Sequence, residues 1–519
     1  MKLERLHEYF TIIVTICCAI FLALYLGMSA GNGTSTPFLV IGGIVTMAVT
    51  LIMRADIWLL IPLFWPLSGQ LVGAPGSFPL HDVVIAYVFV AFLALKALKL
   101  VRTKAKYNWL DYLLWLNLFI LVMAYIRNPV GTLSMGVDKI GGKAYFEVVF
   151  AVLAYWVFGH VTVSKNRAAR FPILLVGGSI LNLAIGLVSH KIPIVGSVLG
   201  RMYTGAYVKD DLDQSQAVLD MGREEYLGES SAILKILYCF YPPLTTINPV
   251  YLLRFCMTVV CVICIALSGF RSMLMDVAGF FLLSLYFRTG IGSVLRFVFV
   301  CFPLIILLVS AQGTLIDLPH NVQRTLSFLP GKWDHDVMED ANGSVEWRHE
   351  IWSNVWDKRN KYIVNWWFGD GFGITKRQLV EALANEREAQ ENLTIAGAYH
   401  SLPLTTIHVV GYVGLFFFCI LIFGTAYYGW ALILRAKGTP YFPTALFLGI
   451  PCIYSPLPSL ILTGFYDLHI VGTIISVGLM RVISRSLDKY NEEKKSEISE
   501  PKKIFPTGRY DRFSETIGM

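Results

Sequence analysis

An arginine between two apolar runs is the first residue whose type and position suggest chemistry. Arg271 follows Ser268-Gly269-Phe270 where one apolar run ends and the next begins, with almost no loop between them. A guanidinium offers a fixed fork of donors and keeps its charge, so it suits a phosphate or a diphosphate. The simpler interpretation is that the side chain extends to the membrane surface to stay hydrated. Arg271 therefore indicates an anion site without establishing one.

A histidine lies where a long polar segment returns to an apolar run. His400 stands between Tyr399 and Ser401, directly before the run that begins at Leu402. An imidazole can accept a proton near neutral pH, as a general base must when it activates a hydroxyl. It can equally serve as a structural hydrogen-bonding group. His400 is the candidate catalytic residue.

Two further motifs lie in the polar segment between these residues. Arg348 follows Trp347, and an exposed charge on an amphipathic helix is the simpler interpretation of this arginine. Gly369, Gly371 and Gly373 form a glycine-rich turn. Glycines allow positive φ and close backbone approach, so the turn could hold a phosphate or a sugar, or only reverse the chain.

The composition indicates which elements must position these residues. Of 519 residues, 55% are hydrophobic and 15% are charged, and the mean hydropathy is +0.59. Apolar runs recur at about the length of roughly 20 residues that a helix needs to cross the hydrocarbon. In lipid, such runs must satisfy their backbone hydrogen bonds internally. The predicted fold class is therefore an all-α polytopic membrane protein with about 12–14 transmembrane helices and one long outer segment that contains helices.

The first predicted span is Tyr9–Met28, whose apolar part is too long for a signal-peptide core, so we expect it to be retained. Pro62 and Pro66 allow the run 57–72 to be re-entrant. The predicted spans after the first are 38–53, 57–72, 82–98, 109–126, 144–160, 171–189, 230–246, 251–268, 272–287, 297–311, 402–434, 442–462 and 467–484.

Basic residues predict the orientation of these spans, because short cytoplasmic loops collect Lys and Arg. Clusters follow the runs that end at 98, 160, 287 and 434, and all fall on one side if 230–246 crosses the membrane. Both termini are therefore expected in the cytoplasm. The net charge of +7 follows from this topology, and no basic stripe interleaved with aromatic residues indicates a nucleic-acid partner.

Two polar segments interrupt the spans, and both are expected on the outer side. The predicted organisation has three parts. Residues 1–229 form N-terminal transmembrane helices with an outer loop, 191–229. Residues 230–485 form a membrane core that includes the long outer segment 312–401, whose tryptophans indicate folded structure. Residues 486–519 form a cytoplasmic tail of mixed charge, which is expected to be disordered.

The cysteines and the motifs of known enzymes indicate no cofactor. All nine cysteines lie in apolar runs, and Cys261 and Cys264 have no second Cys or His pair nearby. The sequence has no P-loop, no Rossmann glycine pattern, no HExxH and no GxSxG. We therefore expect neither a metal ion nor a cofactor, and no nucleotide hydrolysis within this chain.

The order of the motifs resembles a known family. Along the chain come Ser-Gly-Phe-Arg at a membrane edge, two spans, Trp-Arg-x-x-x-Trp in the long segment, Phe-Gly-Asp-Gly-Phe-Gly, Tyr-His-Ser and Val-Gly-Tyr-Val-Gly-Leu. This order resembles the O-antigen ligase and O-antigen polymerase superfamily over residues 250–430. Arg271 is similar to the family arginine that holds the diphosphate, and His400 to the histidine of its His-Asn motif. Ser401 stands where the family usually has Asn. The other residues matched in this way are Arg348 for the family's loop arginine, Arg201 for an earlier arginine-glycine segment, and Gly369, Gly371 and Gly373 for its glycine turn.

The resemblance implies a metal-independent, membrane-embedded glycosyltransferase of the GT-C type at the periplasmic face of the bacterial inner membrane. Family members transfer a glycan from undecaprenyl diphosphate to a hydroxyl of a glycan, lipid or protein acceptor, and so build O-antigen, capsule or exopolysaccharide. The implied partners are this donor, the acceptor, membrane lipids and other polysaccharide assembly proteins. The sequence leaves polymerase and ligase both open.

Two other classes of protein remain compatible with the sequence. A lipid-linked glycan flippase or transporter would have this many spans, but it should show internal repeats and mid-membrane charges on broken helices. No clear repeat is visible. A non-catalytic subunit of a polysaccharide export complex would need neither Arg271 nor His400.

Overall fold

The fold is all-α. The computed structural model describes residues 48–50, 52–67, 69, 78–99, 107–129, 142–168, 170–200, 224–373, 394, 397–461 and 464–499 of the chain. The described residues form helices, turns and irregular segments, with no β-strand among them. The predicted span Tyr9–Met28 and most of the span 38–53 lie outside the described residues.

A 3₁₀ helix, Arg54–Leu59, opens the described part of the bundle. The α-helices that follow are α1 (Leu60–Phe64), α2 (Leu80–Ala97), α3 (Trp109–Arg127), α4 (Gly142–Phe158), α5 (Lys165–Ala168), α6 (Phe171–Lys191), α7 (Pro193–Gly200), α8 (Glu225–Gly228), α9 (Ser230–Phe240), α10 (Pro243–Thr246), α11 (Leu252–Leu267), α12 (Arg271–Thr289), α13 (Ile291–Ala311), α14 (His320–Leu326), α15 (His335–Asp357), α16 (Arg359–Tyr362), α17 (Leu402–Ala436), α18 (Phe442–Tyr454), α19 (Pro456–Ile461) and α20 (Tyr466–Ser499).

Seven helical stretches in the described residues are long and apolar enough to cross a membrane. They are α2, α3, α5 with α6, α13, α17, α18 with α19, and α20. Many large apolar side chains on these helices are exposed, as lipid-facing surfaces require. These helices confirm the predicted all-α polytopic fold.

Three predicted spans differ from the helices observed. In the described part of the run 57–72, the helices are the end of the 3₁₀ helix and α1, which stops at Phe64 before Pro66. The run 230–246 is divided between α9 and α10 at Pro242, and the run 442–462 is divided between α18 and α19 at Ser455. Proline lacks the backbone N–H that would continue the helix, which explains breaks beside Pro242 and Pro456.

The last helix is longer than the sequence predicted. Helix α20 continues to Ser499, so residues 486–499 are helical, in contrast to the disorder expected from residue 486. Glu and Lys favour helix here, and Lys489 and Glu493 pair one turn apart. Residues 500–519 lie outside the described residues.

Helices α17 and α20 pack against each other. Helix α3 contacts α17, and α4 contacts α20. Helix α18 contacts both α17 and α20 and also α9 and α12. Helix α20 is the most buried of the long apolar helices, whereas α13 at the edge is almost entirely exposed.

Arginines hold helix ends together at one end of the bundle. Arg485 of α20 donates to the carbonyls of Phe158, Gly159 and Val161 at the end of α4. Arg288, near the end of α12, donates to the carbonyl of Cys239 near the end of α9. Cations here satisfy carbonyls that a helix terminus leaves unpaired. These residues lie at the helix ends opposite Arg271 and His400.

Candidate functional site

The candidate residues lie at one end of the bundle. Arg271 is the first residue of α12, Arg348 lies in α15, and His400 directly precedes Ser401, the residue before α17. The outer segment between α13 and α17 carries both Arg348 and His400. Arg201, the fourth candidate, lies outside the described residues.

The turn that presents Arg271 is held by helix α14. Gly269 has φ +76°, which lets the chain reverse between α11 and α12 without a loop. From α14, the Asn321 side chain donates to the carbonyl of Leu267 (3.2 Å), and Thr325 Oγ1 donates to that of Ala266 (3.0 Å). The outer segment therefore satisfies the last carbonyls of α11 and fixes the turn before Arg271.

Helix α14 is joined in turn to α15. The Arg324 guanidinium pairs with the Asp340 carboxylate at 2.6 Å, and the Arg324 side chain is 7% exposed. Gln323 Nε2 donates to Asp334 Oδ2 (2.9 Å), while the Asp334 N–H donates to Gln323 Oε1 (3.0 Å). This reciprocal pair holds the start of α15, because Asp334 is its N-cap residue.

Helix α15 then holds the segment that contains His400. Trp352 Nε1 donates to the carbonyl of Tyr399 at 2.8 Å. Ile351 and Val355 belong to a small apolar cluster shared with α17, which consists of Ile351, Val355, Tyr362, Ile363, Tyr399, Leu404 and Ile407. Arg348 lies on the same face of α15 as Ile351 and Val355, three and seven residues before them, and is half-buried. Thus α15 places Arg348 toward the His400 segment.

His400 is held between two aromatic rings in a rare backbone conformation. Its ring centroid is 5.0 Å from that of Trp347 and 4.8 Å from that of Phe465, both in edge-to-face geometry. Its φ is +49°, an uncommon value for a residue with a Cβ. Such strain persists only where the surroundings fix it, and it clusters at functional sites.

Tyr399, the neighbour of His400, is fully buried. Burial raises the pKa of Tyr399 well above its usual value, and the nearby Asp370 carboxylate adds to this effect. The hydroxyl therefore stays neutral and donates to the carbonyl of Tyr362 (3.3 Å).

The glycine turn joins a broken helix. Helix α17 is interrupted at Gly411, with φ +72° and ψ −176°. The Asp370 and Gly371 N–H groups donate to the carbonyls of His408 (2.6 Å) and Val409 (3.0 Å). In the other direction, Tyr412 N–H donates to the Trp366 carbonyl (2.8 Å) and Val413 N–H to that of Trp367 (3.2 Å). The loop thus supplies partners for main-chain groups on both sides of the break.

Close backbone approach explains why glycine occupies these positions. A Cβ on Gly369 would overlap the main chain of Val409, and a Cβ on Gly411 would overlap that of Trp367. Gly369 and Gly371 have φ of +76° and +75°. Gly373 is buried at the end of the same turn.

The amides of the turn already have protein acceptors. Besides Asp370 and Gly371, the Phe368, Gly369 and Phe372 N–H groups donate to Asn365 Oδ1, the Asn365 carbonyl and the Tyr145 hydroxyl. A phosphate cradle needs N–H groups that point at the ligand. The structure therefore favours a joining role for the turn over the phosphate cradle that the sequence also allowed.

Comparison with protein families agrees with the order of these motifs. Residues 256–419 match the family model described as O-antigen ligase. Over this segment the chain is similar to the O-antigen ligase family. No curated protein gives a significant match to the chain. The matched segment runs from α11 into α17, so it contains Arg271, Arg348, the three glycines and His400, whereas Arg201 precedes it.

Sequence reasoning missed an ion pair between α12, in the matched segment, and its neighbour helix α9. Lys235 of α9 pairs with Asp276 of α12, five residues after Arg271. Their side chains are 17% and 28% exposed. The pair could have been predicted from the sequence, because each residue is a charge within an apolar run and such charges usually form ion pairs with one another.

Two residues at the end of α3 were also missed. Arg127 donates to the carbonyl of Phe368, and Asn128 Nδ2 donates to that of Asp370 at 2.7 Å. They connect the glycine turn to the N-terminal half of the chain. Nothing local marks them, since an arginine at a helix C-terminus is common. In the described part of the chain, His, Cys, Asp and Glu side chains form no group of three that could hold a metal ion.

Proposed function

We propose that the protein transfers a glycan from undecaprenyl diphosphate to an acceptor hydroxyl at the periplasmic face of the bacterial inner membrane. The observation that supports this most strongly is the continuous connection from Arg271 to His400. Helix α14 binds the turn before Arg271, α15 pairs with α14, and α15 contacts His400 and Tyr399. A cation and a general base are thereby fixed at one end of a membrane bundle.

The reaction follows from the chemistry of these two groups. The acceptor oxygen attacks the anomeric carbon, the bond from that carbon to the diphosphate oxygen breaks, and the acceptor proton passes to His400. The lipid diphosphate leaves with increased negative charge, which the Arg271 fork stabilises. Arg348, on the α15 face toward the His400 segment, adds a second cation, and Arg201 is proposed as a third. A single displacement gives inversion at the anomeric carbon.

The orientation rests on the distribution of charge. Basic side chains such as Arg288, Arg435 and Arg485 lie at the bundle end opposite His400, and cytoplasmic loops collect such residues. The site then faces the periplasm, where the lipid-linked glycan and the hydroxyl of its acceptor meet. We propose that the reaction uses no metal ion, with the arginines supplying the positive charge.

The test is transfer by the purified protein in nanodiscs, given an undecaprenyl-diphosphate glycan. His400→Ala and Arg271→Ala should each lower the rate by roughly 10²-fold or more, as expected for loss of a general base or of charge stabilisation. Arg271→Lys should recover little, because an ammonium lacks the fork. His335→Ala, at a side chain 90% exposed, and Arg296→Ala, near the opposite end, are the matched controls.

The outcomes separate the roles. If His400→Ala retains wild-type transfer while folded, His400 is not the base. If Arg271→Lys retains wild-type transfer, the diphosphate role of Arg271 is wrong. If the wild type moves the glycan lipid across a vesicle membrane without transferring it, the protein is a transporter. The Lys235–Asp276 pair between α9 and α12 would also suit that function.

A further inference from the structure

A polar pocket lies at the end of the bundle opposite His400. It has a volume of about 510 Å³, within the range of roughly 300–1,000 Å³ that is typical of ligand pockets. The 3₁₀ helix forms one wall, and the connection from α4 to α6 forms the other. The charged and polar side chains that line the pocket are Asp56, Thr162, Ser164, Asn166, Arg167 and Arg170.

The connection that forms the second wall is held in place by α20 and α18. Val163 N–H donates to Ser486 Oγ (2.8 Å), and the Val163 carbonyl accepts from the Tyr441 hydroxyl (2.9 Å). The carbonyl of Ala168 accepts from Thr444 Oγ1 (2.9 Å). These bonds fix the main chain on both sides of the polar side chains. The pocket is therefore a built part of the folded bundle.

The charges in the pocket leave one cation in excess. The Arg167 guanidinium pairs with the Asp56 carboxylate at 2.5 Å. Arg170 is exposed, and no side chain among the described residues forms a hydrogen bond or an ion pair with its guanidinium. Two arginines and one carboxylate leave a single positive charge, which complements the single negative charge of a phosphodiester.

The pocket continues into apolar surface on its membrane side. Phe171, the first residue of α6, lines the pocket together with Leu174, and the buried Trp58 ring packs against the Phe171 ring at 5.6 Å. Ile173 and Ile180 on the same helix are 51% and 43% exposed, as lipid-facing side chains are. The pocket thus offers charged and polar groups at the helix end and apolar side chains one turn further in. This arrangement fits a lipid better than a soluble anion.

We infer that this pocket binds an anionic phospholipid, with its phosphodiester at Arg170 and Arg167 and its acyl chain along α6. Basic pockets between membrane helices recognise phospholipid head groups in this way. The site is separate from the proposed transfer reaction, whose candidate residues lie at the other end of the bundle.

The polar side chains indicate which head group fits. The hydroxyls of Thr162 and Ser164 and the Asn166 amide can form hydrogen bonds to a head group that carries hydroxyls, as in phosphatidylglycerol. A zwitterionic head group fits less well, because its cation needs a carboxylate and Asp56 is already paired.

The experiment measures phospholipid binding to the intact protein in detergent. Phosphatidylglycerol is titrated, and the bound lipid is counted by native mass spectrometry. Arg170→Gln should weaken binding by roughly fivefold, the effect of one cation near an anionic head group. Arg296→Gln should leave binding unchanged. It is the matched control, because Arg296 is exposed near the same end of the bundle but lies outside the pocket.

A substitution with the opposite effect separates charge recognition from a structural role. Asp56→Asn removes the carboxylate that neutralises Arg167 and raises the charge of the pocket by one. It should therefore strengthen phosphatidylglycerol binding by roughly fivefold. Weaker binding in Asp56→Asn would contradict recognition of the lipid by its charge.

Two further titrations distinguish the ligand. Phosphatidylcholine should bind more weakly, and its binding should not change in Arg170→Gln. Glycerol phosphate, which carries the phosphate ester without acyl chains, should not displace phosphatidylglycerol. Equal binding of the two lipids, displacement by glycerol phosphate, or unchanged phosphatidylglycerol binding in Arg170→Gln would each overturn the inference.

Discussion

Replacing Gly411 by alanine tests the join between the glycine turn and α17. The conformation of Gly411 is essentially restricted to glycine, so any side chain there costs about 1–3 kcal/mol in backbone strain. A Cβ would also overlap main-chain atoms of Trp367 and Phe368, and forcing the loop outward adds about 1–3 kcal/mol. Gly411→Ala should therefore lower the free energy of unfolding by about 2–6 kcal/mol.

Gly290 provides the matched control. It has φ +86° and ψ 175°, close to the values at Gly411, but a Cβ on Gly290 would meet no atom within 4 Å. Gly290→Ala should therefore cost only the strain of about 1–3 kcal/mol. The difference between the two variants isolates the contact between the loop and α17.

The assay combines denaturant unfolding in detergent with hydrogen exchange. In the wild type, the amides of Asp370, Gly371, Tyr412 and Val413 should exchange slowly, because each donates across the join. In Gly411→Ala these amides should exchange faster, whereas in Gly290→Ala they should keep their protection. If Gly411→Ala matches Gly290→Ala in both stability and exchange, the loop does not support α17 as argued.

Three further substitutions address other contacts. Arg324→Met should lower the stability of the outer segment by about 3 kcal/mol, because it leaves the Asp340 carboxylate without its cation. This is the lower bound for a broken buried ion pair, since Asp340 is 19% exposed. An unchanged denaturant unfolding curve would contradict this. Trp352→Phe should lower the free energy of unfolding by about 1 kcal/mol, because the hydrogen bond to the Tyr399 carbonyl is lost. The transfer rate should fall clearly, since that bond positions the His400 segment. An unaltered rate would argue against this positioning role. Arg485→Ala should lower the free energy of unfolding, measured with denaturant, by about 1–3 kcal/mol, because helix-end carbonyls lose their donor. The transfer rate per folded molecule should stay unchanged. A lower rate in folded protein would show that the Arg485 end of the bundle is coupled to the His400 end.

The sequence predicted the membrane helices well where apolar runs were uninterrupted. The runs 109–126 and 171–189 agree with α3 and α6 within two residues. Apolar length is a local property, so it can be read without knowing what the helix packs against. The prolines beside the breaks at 242 and 455 are also visible in the sequence. Whether a proline interrupts a membrane helix depends on whether neighbouring groups form hydrogen bonds to the main-chain groups that it leaves unpaired.

The role of the glycine turn could not be predicted in the same way. Its amides bind the carbonyls of His408 and Val409, about forty residues later in the chain by the spacing of these positions. Gly411 itself looks like an ordinary glycine in an apolar run, since such residues are common in membrane helices. The motif order nevertheless predicted Arg271, Arg348 and His400 as site residues, and the structure connects the segments that carry them.

The break in α17 also bears on how the protein is assembled. Before the loop docks, α17 can close its own bonds from Tyr412 to His408 and from Val413 to Val409, and it would enter the membrane as an uninterrupted helix. Docking replaces these two bonds by four between the segments. The loop precedes α17 in the chain, so it is synthesised before the helix that it interrupts. The end of the bundle that carries His400 is therefore completed only after the loop and α17 have docked.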